Sequence, residues 1–81
     1  DEQLSRTEVK QGSMLADKKL SDLELTSRIG VNVIALRRNK AWVIHPEKEQ
    51  IKIGDILIVR GVPYGLERLK NVAEGKTEEL E

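Results

Sequence analysis

The chain has 81 residues, room for a single hydrophobic core, and its 14 basic and 14 acidic side chains cancel to zero net charge. A neutral chain lacks the strong positive field on which generic binding to nucleic acid or to an anionic membrane depends. With no cysteine it has neither a disulfide nor a thiolate metal site, which fits a reducing compartment.

Leu4–Gln11 is polar but alternates through Thr7 and Val9, and reads as an exposed strand closed by Gly12-Ser13. Met14, Leu15 and Leu20 lead into a short helix. Leu20 and Leu23 stand at i, i+3, Asp17 is its expected cap, and Leu25 and Ile29 continue its buried contacts up to Gly30. Val31, Val33, Ile34, Ala35 and Leu36 form a nearly continuous apolar run, too short for a helix and rich in β-branched residues. That pattern predicts a central strand covered on both faces. Arg37-Arg38-Asn39-Lys40 is then a polar turn, Ala41–Ile44 the second arm of a hairpin, and Pro46 its end, since proline cannot donate to a ladder. After the charged loop Glu47–Gln50 come Ile51, Ile53 and the turn Gly54-Asp55, then a buried strand at Ile56–Val59 closed by Gly61. Pro63 suits the first turn of a helix, Leu66, Leu69 and Val72 give it one apolar stripe, and Gly75 stops it. Lys76–Glu81 is a charged tail expected to fray. The expected fold is a small α+β domain in the order β-α-β-β-β-α, with a mostly antiparallel sheet and two helices.

No apolar run approaches the roughly 20 residues that cross a bilayer, so any connection to a membrane has to come from a partner or from flanking domains. The first residue is Asp and not Met, and residues 1–81 read as one domain of a longer protein, with its core at about 5–73. One histidine and no cysteine leave no His-Cys pair and no multi-histidine metal site, and neither a nucleophile elbow nor a phosphate-binding glycine loop occurs. The chain reads as a non-enzyme without a metal.

Candidate binding residues cluster around the central strand. The pair Arg37 and Arg38 suits an anion, because a planar guanidinium donates two parallel hydrogen bonds to phosphate or carboxylate. Successive strand residues point to opposite faces, so only one of the two serves a given pocket. The alternative is a solvated turn. Asn32 is either at the exposed start of the strand or satisfied by a partner, including one across a twofold axis. His45 is either a plain strand-end residue, a polar contact at a ligand cleft or part of a pH-sensitive interface. Trp42 reads as a core or interface anchor, since one aromatic on a neutral chain makes a poor stacking platform for nucleic acid.

Ser13-Met14-Leu15-Ala16-Asp17-Lys18-Lys19-Leu20 with Leu23-Glu24-Leu25 resembles the opening of the TrkA C-terminal domain, also called RCK-C. Gly30-Val31-Asn32-Val33-Ile34-Ala35-Leu36-Arg37-Arg38 resembles its central strand, and Pro46, Ile51, Gly54-Asp55, Leu57-Ile58-Val59 and Gly61 its closing pattern. The likeness spans about residues 5–73. One departure is Asp17, where the family usually has glycine before the lysine. The resemblance implies a cytoplasmic regulatory domain of potassium channels and transporters that forms twofold dimers. Some members bind cyclic di-AMP between two copies, and that nucleotide is a candidate ligand here, although Ala35 and Leu36 stand where those members carry an acidic residue. A small core favours dimerisation on physical grounds as well. The leading expectation is a ligand-binding homodimer in which Asn32, Val33, Ile34, Arg37, Arg38 and His45 meet the ligand and Val33, Trp42 and Ile44 form the dimer contact. A structural dimerisation module without a small-molecule ligand is the alternative.

Overall fold

Alternation along one strand sets the architecture. In Ile56–Gly61, Leu57 and Val59 are fully buried and Gly61 is buried, while Ile56 and Ile58 are half-buried and Arg60 is exposed, so one face of this strand packs and the other does not. The computed structural model describes residues 1–81, and its elements are β1 (Gln3–Glu8), α1 (Leu20–Leu23), α2 (Leu25–Ile29), β2 (Val31–Arg38), β3 (Ala41–Ile44), a 3-10 turn at Pro46–Lys48, β4 (Ile56–Gly61) and α3 (Pro63–Ala73). The four strands form one sheet in the order β1-β4-β2-β3, every pairing antiparallel. The expected α+β order of elements is present.

One face of the sheet is covered. Val31, Val33 and Leu36 of β2 and Leu57 and Val59 of β4 meet Leu20 and Leu23 of α1, Leu25 and Ile29 of α2, and Leu69 and Val72 of α3 in a single core. Burying each of these aliphatic side chains contributes about 1.5–3 kcal/mol. The helices reach the sheet closely because two positions carry no side chain. A Cβ on Gly65 would overlap the Ile29 carbonyl, and one on Gly61 would stand 2.7 Å from the Gly30 carbonyl oxygen. Glycine at 65 is therefore what lets α3 cross the end of α2.

Several expectations are corrected. The first strand ends at Glu8, because beyond it Val9 leaves the ladder to exchange hydrogen bonds with the Gly54–Asp55 turn. The single first helix is two short ones, broken where Glu24 takes a left-handed conformation (φ 52°). Asp17 caps neither, since it is left-handed as well (φ 67°) and exposed, and its carboxylate accepts from Lys52. That backbone conformation is the physical reason for a glycine preference at this position. Arg37 and Arg38 are strand residues, and the reversal is the pair Asn39-Lys40, both with positive φ (52° and 69°), as a two-residue hairpin of primed type requires. The tail folds back onto the domain: Leu80 is 1% exposed and belongs to the core, and Arg28 of α2 pairs with Glu81 at 3.2 Å. The sheet itself is covered on one face only.

Candidate functional site: the uncovered face of the sheet

Paired residues in an antiparallel sheet share a face, so the register defines what the open side presents. Leu4, Arg60 and Asn32 form one row across it. Arg6, Ile58, Ala35 and Ile44 form the next, and Glu8, Ile56, Arg37 and Trp42 the third. Leu4, Trp42 and Ile44 are more than half exposed. Trp42 and Ile44 are neighbours on β3 and Leu4 lies on the far strand β1. Exposed large apolar side chains on one face mark a candidate interaction surface. Three arginines, Arg6, Arg37 and Arg60, stand around that apolar centre against one acid, Glu8. The chain is neutral overall, but this face is not.

A β-bulge decides which arginine belongs to it. Val33 pairs with Val59 and Ala35 with Ile58, so Ile34 is an extra residue on β2. After this shift Leu36 lies opposite Leu57 in the core and Arg37 lies opposite Ile56 on the open face. Without it the assignment of Leu36, Arg37 and Arg38 would be reversed. The Arg37 guanidinium then sits 4.8 Å from the centre of the Trp42 ring, a cation–π contact that holds it extended over the sheet.

Arg38 does a different job. Its Nε and Nη2 donate to the two carboxylate oxygens of Asp55 at 2.9 and 2.8 Å, Nη1 donates to Glu49 at 3.1 Å and Nη2 to the Gln50 carbonyl at 2.9 Å. Asp55 is 1% exposed and also accepts from the Lys52 amide at 2.8 Å. Its hydrogen bonds to Asp55, joined by the charges of Asp55 and Glu49, hold the guanidinium more firmly protonated than an ordinary arginine despite its partial burial. This side chain fastens the loop 49–55 to the end of β2.

The other sequence-derived candidates divide in the same way. Asn32 is exposed on the open face opposite Arg60, and Ile34 is half-buried at the bulge. Val33 is 7% exposed and packed in the core. Trp42 is 52% exposed and therefore no core anchor. His45 is exposed and left-handed (φ 57°) where the chain leaves β3 for Pro46, and its side chain caps nothing. Arg6, Arg60 and Ile58 share the face but were not among the residues the sequence singled out. The alternating exposure of β4 was hidden inside an unbroken apolar run, and β1 became informative only through its register with β4.

A β-α-β-β-β-α order with helices on one side of an antiparallel sheet and an arginine-bearing, uncovered other side defines a small α+β domain. The chain matches the model of the TrkA-C domain over residues 4–73 and belongs to that family. It is 31% identical over 81 residues to probable potassium channel protein 2 of Methanocaldococcus jannaschii, covering 99% of this chain and 24% of the relative. It is also 34% identical over 70 residues to the Ktr system potassium uptake protein C of Bacillus subtilis, covering 85% of this chain and 32% of that protein. The chain thus spans about a quarter to a third of the length of these relatives. Among solved structures it is similar to the RCK C domain of the potassium transport protein KtrA in complex with cyclic di-AMP. That match has a TM-score of 0.77 and 28% identity, over 88% of this chain and 82% of the other. The RCK_C domain dimer of Streptococcus agalactiae BusR shares the fold, with a TM-score of 0.78 at 18% identity, over 86% of this chain and 93% of that one. No helix of the structure is long and apolar enough to cross a membrane.

Proposed function

We propose that this chain is a regulatory, non-catalytic domain of a longer potassium-transport protein, lies on the cytoplasmic side, and senses an anionic nucleotide between two copies of itself. The observation that carries the reading is the open sheet face, where Arg37 is stacked over Trp42 beside Arg6, Arg60 and an apolar centre of Ile34, Ile58 and Ile44. Two such faces meeting about a twofold axis hide the isoleucines and Trp42, but they also bring an excess of arginine together. An anionic ligand between them removes that repulsion. Its phosphates take guanidinium donors, and its flat bases take the apolar surface. Such a ligand favours the paired arrangement only by the difference in its affinity for the two arrangements, which is what a sensor requires. The KtrA domain that this chain resembles was solved with cyclic di-AMP, which has this chemistry and leads the list of compounds to try.

Thermal unfolding of the chain against a panel of nucleotides, cyclic di-AMP among them, is the test. A compound that binds only the folded state, at 100 times its dissociation constant, adds about 2.7 kcal/mol, and Arg37→Ala abolishes that gain. A flat panel at concentrations where sedimentation shows an intact dimer would reduce the reading to a dimerisation module, which the same apolar face supports by itself.

A further inference from the structure

The first half of β2 has a free edge. β3 pairs only with Ala35–Arg38, and β4 occupies the opposite side of the strand, so along Val31–Ile34 no strand stands on the β3 side. The Val31 carbonyl accepts from the Thr26 hydroxyl at 3.2 Å, and no hydrogen bond from the helix side reaches Asn32–Ile34. Beside this edge lies a half-open cavity of about 320 Å³, between β2, the α1–α2 break and the 3-10 turn. Its floor is apolar, formed by Leu25, Val31 and Val33, and its rim carries the carboxylates of Glu24 and Glu47 with no basic side chain.

Its chemistry is opposite to that of the open face: acids in place of arginines, and a concave apolar floor in place of a flat one. The two carboxylates disfavour a dianionic nucleotide there, although Ser21, Thr26, Ser27 and Asn32 also line the cavity. What fits is a chain that supplies main-chain hydrogen bonds to the edge, an apolar side chain to the floor and a cation to the rim. We infer that the Val31–Ile34 edge and the adjoining cavity form a docking groove for an extended, basic segment of a partner protein, which adds to the sheet as a strand while its lysine or arginine side chains pair with Glu24 and Glu47. Addition of a strand to an exposed edge draws affinity from the main chain and specificity from the alternate side chains. The groove adjoins the nucleotide-sensing face through Asn32 and Ile34 but draws on neither Arg37 nor Trp42, so a variant at either of those two residues separates the readings.

The experiment uses the 81-residue chain, labelled for amide NMR, titrated with a short capped peptide of alternating lysine and valine and with its glutamate counterpart. The basic peptide shifts the amides of Val31–Ile34 and of the α1–α2 segment, the acidic one shifts none of them, and added salt weakens the binding. In the doubly substituted chain Glu24→Gln, Glu47→Gln the affinity falls about fivefold, as the loss of two exposed ion pairs implies. Both positions are exposed, so the variant keeps the fold, and its unperturbed amide spectrum verifies this. The inference is overturned if the basic peptide causes no shift at millimolar concentration, or if its shifts map to the Arg37–Trp42 face. It is equally overturned if the double variant binds as well as the parent, or if the same amides shift with increasing concentration of the chain alone, which would seat a second copy in the groove.

Discussion

The two faces of the sheet are built from the same kinds of residue and do different work. Leu57 and Ile58 are neighbours on β4 and nearly equal in size, yet one is fully buried under the helices while the other lies among arginines on an uncovered surface. The same divergence separates Arg37 from Arg38, consecutive in sequence and assigned to opposite duties. Alternation along a strand doubles the functions a small domain can carry: stability is concentrated on one side, which leaves the other free to recognise something. A core of 16 residues on the covered side holds the fold and leaves the open side without a packing duty.

The largest effects therefore belong to the covered side. Leu57→Ala leaves a cavity beneath the helices and lowers unfolding free energy by about 3 kcal/mol, and Gly65→Ala, which drives a methyl group into the Ile29 carbonyl, acts at a similar scale. Ile44→Lys on the open side changes monomer stability by less than about 0.5 kcal/mol in urea titration but abolishes self-association in sedimentation. An Ile44→Lys chain that unfolded as easily as Leu57→Ala would erase the distinction between the faces.

The arginine pair gives the next test. Arg38→Ala strands the buried Asp55 carboxylate without its bidentate partner and costs about 3 kcal/mol, since removing one member of a buried pair leaves the other uncompensated. Arg37→Ala leaves the urea midpoint nearly unchanged and removes anion binding. Equal losses of stability from the two variants would show that the bulge does not divide their roles. The smallest effect lies in the hairpin joining β2 to β3. Lys40 carries a left-handed φ of 69°, so Lys40→Gly relieves local strain and stabilises by about 1 kcal/mol, readable as a rise in melting temperature, without altering either face.

The order of elements was legible because each rests on a local signal: β-branched runs at Val31–Leu36 and Ile56–Val59, a proline at the first turn of α3, and turn residues between them. The limits were those of local reading. Which arginine faces outward depends on one unpaired residue at the bulge, and nothing in the apolar run Val33–Leu36 marks it. The sequence restricted the choice to one of the two and went no further. Leu80 was hidden by the acids and lysine around it, because its burial depends on where α2 lies in space. The break at Glu24 was masked by leucines on both sides whose spacing is compatible with one continuous turn of helix. The open face was the hardest to see, since Leu4, Arg6, Ile58 and Arg60 come together only through the β1–β4 register.

The extra residue at Ile34 has an evolutionary consequence. Because it sets the phase of everything that follows in β2, loss of a single codon there would turn Leu36 and Arg38 outward and Arg37 inward, exchanging the clamp and the recognition arginine in one event. Substitutions elsewhere on the strand adjust affinity by degrees. A deletion at this point would instead exchange the two roles in a single step.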